Sequence, residues 1–334
     1  MNVCIYPSGA WGTAMALQLV RRGHTVTLVP REVEEAVEMS TQRENTRFLP
    51  GYELPADLQI SAELGPALME AELAIIACPS KFLRSVCRET REVLEGAQSL
   101  RWFITLCKGL EVGSNALPYD ILAEELPGFH HGVLSGPTFA SQVAQGQPSA
   151  LVLGTPAPVE QSRRLQEVLS GQNLRVYTSD DPVGVQLGGS LKNVYAIASG
   201  MCDGLGLGDN SRAALLTRSL HELVRLGETL GGRRETFYGL SGLGDLVLTC
   251  NGQESRNRTF GELFAQGVSI EELIEKRQMT VEGYRTCACF HAICAEKGIE
   301  APILEQIYRI LYEGQDLSGA LAALMGRDLK SERA

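Results

Sequence analysis

The sequence lacks any apolar run of the roughly 20 residues that a helix needs to cross a bilayer. No basic stretch precedes an apolar segment near the N-terminus, so a signal peptide is not expected. The nine cysteines are odd in number and include no Cys-x-x-Cys pair, which argues against a disulfide framework or a zinc site. We therefore expect a cytoplasmic protein with reduced thiols, no membrane insertion and no metal.

Basic residues are scarce, because 30 Lys and Arg stand against 40 Asp and Glu, for a net charge of -10. This balance disfavours a general binder of nucleic acid or anionic membranes. The apolar share of 44% and the charged share of 21% fit an ordinary globular enzyme. At roughly 150 residues per domain, the length of the chain suggests two domains.

The N-terminal pattern predicts the first βαβ unit of a doubly wound sheet. Asn2 to Tyr6 is a strand candidate, a helix follows from about Ala10 to Arg22 with Gly23 as its cap, and Thr25 to Val29 is a second strand. Because such sheets bind ligands at the carboxyl ends of their strands, we expect a cofactor there. Further buried-strand candidates are Leu73 to Cys78, Trp102 to Leu106, Gly132 to Leu134 and Ala150 to Leu153.

The pattern becomes helical after Asp180-Asp181-Pro182, since Asp at a cap followed by Pro is typical of a helix start. We predict an α/β protein, with a Rossmann-like doubly wound sheet domain over residues 1–182 and an all-helical C-terminal domain over residues 183–334. The polar residues from about Arg327 are expected to fray. Further helices are predicted over Arg212 to Leu230, Ser269 to Lys276, Tyr284 to Lys297 and Ile303 to Tyr312.

A glycine-rich turn, Tyr6-Pro7-Ser8-Gly9-Ala10-Trp11-Gly12, joins the first strand to the first helix. Gly9 stands where a dinucleotide-binding backbone approaches the pyrophosphate, and Gly12 stands where helix and strand pack closely. Pro7 replaces the first glycine of the fingerprint. A proline fixes φ and removes a backbone N–H at this position. A plain strand-to-helix turn is the alternative interpretation.

The end of the second predicted strand bears on the choice of cofactor. NAD sites usually carry an acidic residue there, whereas this chain has Arg31, followed by Glu32. Because Arg31 can pair with a 2′-phosphate, we predict that NADP(H) is accepted alongside NAD(H). Arg31 can equally be a solvated surface charge.

Lys192 follows a pair of glycines in Gly188-Gly189-Ser190-Leu191-Lys192-Asn193, on a helix that we expect to be buried and to leave room for reactants. Hydride delivery to a ketone leaves negative charge on the oxygen, and Lys192 can both stabilise that charge and protonate the oxygen. Lys108 would lower the pKa of Lys192, Asp245 would orient its ammonium, and Asn193 would orient the substrate. A surface lysine, a loop lysine and a helix-capping aspartate are the alternatives.

The segment Ser255-Arg256-Asn257-Arg258 offers a hydroxyl, guanidinium groups and an amide within four residues. If a helix begins near Ser255, its free N–H groups add to an anion site. The segment therefore predicts a phosphate site, and an exposed basic first turn is the alternative.

Together these motifs resemble the bacterial-type NAD(P)-dependent glycerol-3-phosphate dehydrogenases, over nearly the whole chain. The resemblance rests on Gly9-Ala10-Trp11-Gly12-Thr13, Asn45-Thr46-Arg47-Phe48-Leu49-Pro50, Lys108-Gly109-Leu110-Glu111, Ser135-Gly136-Pro137-Thr138-Phe139-Ala140, Leu191-Lys192-Asn193-Val194, Gly204-Leu205-Gly206-Leu207-Gly208-Asp209-Asn210, Gly242-Leu243-Gly244-Asp245-Leu246 and Ser255-Arg256-Asn257-Arg258.

The resemblance implies reversible hydride transfer between NAD(P)H and dihydroxyacetone phosphate, giving sn-glycerol 3-phosphate for phospholipid precursor synthesis. It also implies a homodimer and assigns the proton donor and acceptor to Lys192. The implied substrate contacts are Lys108, Gly136, Thr138, Asp245, Ser255, Arg256 and Asn257. The implied cofactor contacts are Ala10, Trp11, Arg31, Lys108, Ala140, Arg256, Thr280 and Glu282.

The chain departs from the family pattern at Pro7, and at Gln142 and Gln186, where glutamate is usual. The two glutamines are expected to remove charge near the cofactor side of the site. Two other functions stay open at this point. One is a related hydroxyacid dehydrogenase acting on a non-phosphorylated acid, and the other is a cofactor-binding sensor without turnover.

Overall fold

The computed structural model describes residues 1–326 and Ser331. The expected fraying from Arg327 onwards falls largely outside the described residues. The strands of this part are β1 Asn2–Tyr6, β2 Thr25–Leu28, β3 Glu44–Asn45, β4 Leu49–Glu53, β5 Gln59–Ile60, β6 Leu73–Ile76, β7 Trp102–Thr105, β8 His130–Ser135, β9 Ser149–Gly154 and β10 Leu174–Ser179.

Helices separate most of the strands up to β10, except β3, β4 and β5, and they make up most of the described chain after β10. They are α1 Ala10–Arg21, α2 Val33–Gln42, α3 Leu64–Glu70, α4 Leu83–Glu92, α5 Pro118–Glu125, α6 Ala140–Ala144, α7 Val159–Leu169, α8 Pro182–Gly204, α9 Gly208–Thr229, α10 Arg234–Phe237, α11 Asp245–Asn251, α12 Arg256–Ala265, α13 Glu282–Lys297, α14 Pro302–Glu313 and α15 Leu317–Met325. A 3₁₀ turn covers Ser80–Phe82, and π-helical turns cover Leu240–Gly244 and Glu272–Lys276.

Eight strands form one sheet in the order β10-β9-β8-β7-β6-β1-β2-β5, and β3 pairs with β4 separately. The ladders of the large sheet are parallel except that between β8 and β9, which is antiparallel. Its central strands β6 and β7 are buried at every residue, as expected for strands covered by helices on both faces. The predicted Rossmann-like sheet and the helical C-terminal region are confirmed.

The glycine at position 12 sets how closely α1 packs on the sheet. A Cβ at Gly12 would lie 2.7 Å from the carbonyl oxygen of Pro7 and 3.1 Å from the Cβ of Ala77. Only a residue without a side chain fits such a contact without displacing the helix. The carbonyl of Pro7 also accepts a hydrogen bond from the N–H of Gly9 at 3.0 Å, so the proline is part of a formed turn.

The helical region is built around α8, which packs against α9, α11, α12 and α13. Asp181 caps α8 as predicted, because its carboxylate accepts the N–H of Gly184 at 2.8 Å and Pro182 occupies the first turn. The helix is buried along nearly its whole length. No helix in residues 1–326 is long and apolar enough to cross a membrane.

The predicted helix from Ser269 to Lys276 differs from what the structure shows. Its second half, Glu272–Lys276, is π-helical, and the Ser269 hydroxyl accepts the N–H of Glu272 at 3.1 Å. Apolar periodicity predicts that a segment winds onto a core, but a shift from i−4 to i−5 hydrogen bonds has no such signature.

Two glycines let α8 and α12 cross at backbone contact. A Cβ at Gly261 would lie 2.0 Å from the carbonyl oxygen of Ile197, and one at Gly200 would lie 1.9 Å from that of Arg258. These distances are far shorter than any real carbon–oxygen contact, so the crossing requires glycine at both positions.

We expect Gly261→Ala to lower the free energy of unfolding by about 1–3 kcal/mol or more, because the added methyl group forces α8 and α12 apart. Chemical denaturation measures the change. Gly65→Ala in α3 is the matched control, since a Cβ there meets only Val93 at 3.6 Å. The free energy of unfolding of this control should be unchanged, or should rise by up to about 1 kcal/mol because alanine has the higher helix propensity. Equal behaviour of the two variants would contradict the packing argument.

Candidate active site

A cavity of about 850 Å³ opens where the carboxyl ends of β1, β6 and β7 face α8, α12 and α13. Most of the residues predicted from the sequence line it, namely Gly9, Ala10, Trp11, Arg31, Lys108, Thr138, Lys192, Asn193, Ser255, Arg256, Asn257, Thr280 and Glu282. Four others do not line it, namely Gly12, Gly136, Ala140 and Asp245. The fold therefore brings together segments that are up to about 270 residues apart in the chain.

A buried carboxylate between two ammonium groups lies at the inner end of the cavity. Asp245 is fully buried, and its two oxygens accept from the Lys192 Nζ at 2.5 Å and from the Lys108 Nζ at 2.7 Å. Both lysines line the cavity while Asp245 lies behind them. The aspartate thus orients the ammonium groups, as the sequence predicted, and does not cap a helix with its side chain.

The glycines before Lys192 pack against protein and do not make room for reactants, which corrects the expectation from the sequence. A Cβ at Gly188 would lie 2.6 Å from the carbonyl oxygen of Ser241, in the turn that leads to Asp245. A Cβ at Gly189 would lie 2.5 Å from the Ser135 hydroxyl. Gly188 therefore allows the turn before Asp245 to approach the helix that carries Lys192, and Gly189 allows the end of β8 to approach it.

Burial controls the proton affinity of Lys192. Desolvation lowers the pKa of Lys192 to about 8, with a further lowering by Lys108, while Asp245 raises it. The neighbouring lysine predicted from the sequence therefore contributes, but desolvation is the larger cause. An amine with this pKa exchanges its proton near neutral pH, which is a requirement for general acid and base chemistry.

Thr249 completes the environment of Lys192 and was not predicted from the sequence. Its hydroxyl accepts from the Lys192 Nζ at 2.8 Å and donates to the backbone oxygen of Asp245, one turn earlier in α11, at 2.6 Å. The residue lies four positions after Asp245, so the spacing of one helical turn was the available signal. Its hydroxyl fixes the ammonium in a second direction.

Gly136 acts on the site from behind the cavity wall. Its carbonyl oxygen accepts from the Lys108 Nζ at 3.1 Å and from the Thr138 hydroxyl at 3.2 Å. Its φ is +148°, and a Cβ would lie 3.0 Å from the carbonyl oxygen of Ala150. The position therefore requires glycine, and its observed contact is with Lys108.

A chain of amide hydrogen bonds joins three elements of the site. The N–H of Gly283 donates to Asn257 Oδ1 at 2.9 Å, and Asn257 Nδ2 donates to Asn193 Oδ1 at 3.0 Å. Asn193 Nδ2 then lies 3.4 Å from the carbonyl oxygens of Lys108 and Gly189. Both asparagines line the cavity, and their amides also hold α8, α12 and α13 in register.

The two arginines of the predicted phosphate segment have different surroundings. Arg258 pairs with Asp203 through 2.7 Å contacts and does not line the cavity. Its guanidinium is therefore not free to donate hydrogen bonds to a substrate phosphate. Arg256 lines the cavity and makes no side-chain hydrogen bond or ion pair with residues 1–326. Ser255 caps α12 by accepting the N–H of Arg258 at 3.2 Å. A helix N-terminus and an unpaired guanidinium thus face the same space.

The start of α1 fits the pyrophosphate of a dinucleotide. Gly9 is the N-terminal cap of α1 without a side-chain hydrogen bond, so the first N–H groups of the helix are open to a ligand. A Cβ at Gly9 would meet only the carbonyl oxygen of Ala77, at 3.4 Å, and would otherwise project into the cavity. Ala10 and Trp11 follow along the same wall.

Basic side chains gather at the outer end of the cavity. The Arg31 guanidinium lies 5.6 Å from the centre of the Phe82 ring, and the Lys81 ammonium lies 4.4 Å from it. Arg31 is exposed and approaches Glu89 at 3.5 Å, a weak surface pair. The arginine therefore stays available to an anionic group beyond the second strand.

Glu282 links the two halves of the cavity. Its carboxylate accepts from the Ser80 hydroxyl at 2.6 Å and from the Ser80 N–H at 3.2 Å. Gln142 donates to Glu254 at 2.8 Å, and Glu254 lines the cavity whereas Gln142 does not. Gln186 instead bonds to Tyr119 and Pro182 and does not line the cavity.

The fold and the site define an NAD(P)-linked dehydrogenase, with a nucleotide-binding sheet and a lysine–aspartate–lysine group supplied by the sheet and the helical region. Family models for the N-terminus and the C-terminus of NAD-dependent glycerol-3-phosphate dehydrogenase match residues 2–160 and 181–322. The chain belongs to this family, which confirms the resemblance seen in its motifs.

The chain is similar to glycerol-3-phosphate dehydrogenase [NAD(P)+] from Thiobacillus denitrificans, with 46% identity over 99% of this chain and 100% of the relative. A solved glycerol-3-phosphate dehydrogenase from Coxiella burnetii is 39% identical, covers 97% of this chain and 98% of its own, and superimposes with a TM-score of 0.90. A ketopantoate reductase from Ralstonia eutropha, covering 93% of this chain and 97% of its own, is 18% identical with a TM-score of 0.62, and that likeness shows the fold alone.

We expect Asp245→Asn to lower the free energy of unfolding at pH 7 by about 3–5 kcal/mol, because two ammonium groups then lose their buried counterion. Urea denaturation measures this loss. The loss should shrink at pH 9, where Lys192 is largely neutral. Asp180→Asn is the control, since Asp180 pairs with Arg233 on the surface and its loss should change little. A fully stable Asp245→Asn variant would contradict the buried charge group.

Proposed function

We propose that this protein is a glycerol-3-phosphate dehydrogenase that reversibly transfers a hydride between NAD(P)H and dihydroxyacetone phosphate to give sn-glycerol 3-phosphate. The observation that carries the proposal is the Lys192–Asp245–Lys108 group, set in the same cavity as the unpaired Arg256. Family membership and the printed names of the relatives support it. The product is a precursor of phospholipids.

Lys192 is the proposed proton donor in ketone reduction and the proton acceptor in the reverse direction. The nicotinamide cofactor, when bound, supplies or accepts the hydride. As the carbonyl oxygen gains negative charge, Lys192 donates its proton and Lys108 offers a second positive charge. Asp245 and Thr249 hold the Lys192 ammonium in place, and neither needs to change its own protonation state.

Arg256 is the proposed anchor for the phosphate of the substrate. Its guanidinium can form two parallel hydrogen bonds to phosphate oxygens, and the free N–H groups at the start of α12 add to the same attraction. Ser255, Asn257, Asn193 and Thr138, which all line the cavity, are the proposed polar neighbours of the bound substrate. Gly136 acts through the position of Lys108.

The dinucleotide is proposed to lie along the opposite side of the cavity. Gly9, Ala10 and Trp11 would hold the pyrophosphate, Gly12 would keep α1 close to the sheet, and Arg31 would accept the 2′-phosphate of NADP(H) without excluding NAD(H). The remaining proposed cofactor contacts are Lys108, Ala140, Arg256, Thr280 and Glu282. All of these except Gly12 and Ala140 line the cavity.

The chain is proposed to divide near residue 182, with a dinucleotide-binding domain over residues 1–182 and a substrate and catalytic domain over residues 183–334. The start of α8 at Pro182, directly after the last strand of the sheet, supports this division.

We further propose a homodimer that acts in the cytoplasm. The free thiol state of all nine cysteines is compatible with a reducing compartment.

The test of the substrate class compares dihydroxyacetone phosphate with free dihydroxyacetone in an NADH or NADPH oxidation assay. We expect Arg256→Ala, assayed at saturating cofactor because Arg256 is also a proposed cofactor contact, to lower kcat/KM for the phosphorylated ketone about 10- to 100-fold, the loss of a hydrogen-bonded charge, and to leave the poor rate with the free ketone unchanged. Arg31→Ala is the control, since the only parameter that it should change is the KM for NADPH. Equal turnover of both ketones by the unmodified enzyme would favour the hydroxyacid dehydrogenase alternative.

The pH dependence of kcat/KM tests the role of Lys192. Ketone reduction needs the protonated amine, so its rate should be level below about pH 8 and fall above it, whereas the oxidation rate should rise up to about pH 8. Lys192→Ala should abolish turnover in both directions and retain NADPH binding by fluorescence titration. A near-normal rate in that variant would remove the mechanism, and absent cofactor binding in the unmodified protein would point to another function.

A further inference from the structure

Two cysteines meet at the carboxyl ends of neighbouring strands. Cys78 follows β6 and Cys107 follows β7, two residues beyond the register pair Ile76 and Thr105. The ladder extends through the N–H of Leu106, which donates to the carbonyl oxygen of Ile76 at 3.0 Å. The two sulfurs lie 3.8 Å apart, and the Cys107 thiol donates to the backbone oxygen of Cys78 at 2.8 Å.

The strand geometry suits a bond between these sulfurs. Neighbouring strands lie about 4.8 Å apart, within the Cα separation of about 4.4–6.8 Å that disulfides adopt. The side chains of Cys78 and Cys107 already point towards each other, since their sulfurs are in van der Waals contact at 3.8 Å. A bond of about 2.05 Å therefore needs side-chain rotation and a small closure of the two loops.

The pair is reachable from the cavity although it is largely shielded. Cys78 is 8% exposed and Cys107 is 7% exposed, and both line the cavity wall. Cys87, the buried thiol on α4, is 0% exposed and does not line the cavity. Cys202 is more exposed, but it has no cysteine partner within hydrogen-bonding distance among residues 1–326. A small oxidant entering the cavity thus meets one pair that can be cross-linked.

We propose that Cys78 and Cys107 form a redox modification site, which hydrogen peroxide converts to a disulfide that lowers the dehydrogenase activity. The effect on activity rests on the proposed function, whereas the cross-link does not. Bound dinucleotide fills the same cavity and therefore protects the pair. Cytosolic disulfides of this kind are typically transient and regulatory.

The chemistry balances with peroxide as the oxidant. The Cys107 sulfur attacks one peroxide oxygen, the O–O bond breaks, and one water leaves with formation of a sulfenic acid. The Cys78 sulfur then attacks the Cys107 sulfur and releases the second water, so two thiols lose two electrons and two protons. The hydrogen bond with Cys107 and burial raise the pKa of Cys78 well above its ordinary value. As the Cys78 sulfur attacks, its proton therefore passes to the hydroxide that leaves the Cys107 sulfur as water.

The cross-link acts on the catalytic group through the loops that follow the cysteines. Cys107 directly precedes Lys108, which bonds to Asp245, and Cys78 is followed by Pro79 and by Ser80, which Glu282 holds. Drawing the two loops together displaces these contacts. Because a misplacement of about 1 Å can cost on the order of 100-fold in rate, we expect activity to fall about 10- to 100-fold.

The experiment treats the full-length reduced enzyme with hydrogen peroxide, with and without saturating NADPH. Peptide mapping under non-reducing conditions should show a Cys78–Cys107 disulfide, the activity should fall with the same time course, and dithiothreitol should restore both. NADPH should slow the cross-link. Cys78→Ala should prevent the reversible loss relative to its own untreated rate, whereas Cys202→Ser should respond like the unmodified enzyme.

Several outcomes would overturn the proposal. It fails if Cys78 and Cys107 remain reduced, or if the peptide map shows a different cysteine pair. It also fails if dithiothreitol does not reverse the loss of activity, or if Cys78→Ala shows the same reversible loss. If the untreated enzyme does not reduce dihydroxyacetone phosphate, the proposed function fails. The disulfide map and the slowing of the cross-link by NADPH then still decide whether the site exists.

Discussion

The buried carboxylate of Asp245, held between the ammonium groups of Lys192 and Lys108, is the interaction on which the rest of the site depends. One negative charge cannot neutralise two positive charges, so the group keeps a net positive charge in a place from which water is largely excluded. That excess charge suits an oxygen that becomes negative during reaction. Burial keeps Lys192 able to give up its proton near neutral pH.

Backbone packing around α8 makes this charge group possible. Gly188 allows the turn before Asp245 to touch the helix, Gly189 allows the end of β8 at Ser135 to do so, and Gly200 and Gly261 allow α12 to cross it at close range. Each glycine costs about 1 kcal/mol of helix propensity relative to alanine. The close packing that these glycines permit brings Arg256 and the Lys192 group to one cavity.

Sequence patterns predicted the architecture well because hydrophobic periodicity and caps are local. The strands β1, β6 and β7, the cap at Asp181 and the helices α1, α8, α9, α13 and α14 were predicted from residue order alone, whereas the short helices between the later strands were not. The motifs also indicated the family. The π-helical turn at Glu272–Lys276 could not be predicted, because a change in hydrogen-bond register leaves no mark on apolar spacing.

The sequence by itself determined the elements, the family and the reactive residue types, since these depend on local propensity and on motifs. Tertiary structure decided how those residues are used. It assigned Arg258 to Asp203 while leaving Arg256 without an ion-pair partner among residues 1–326, brought the Thr249 hydroxyl to Lys192, and set Cys78 beside Cys107. These outcomes depend on distances between segments far apart in the chain, and such distances are set by the packing of the whole core.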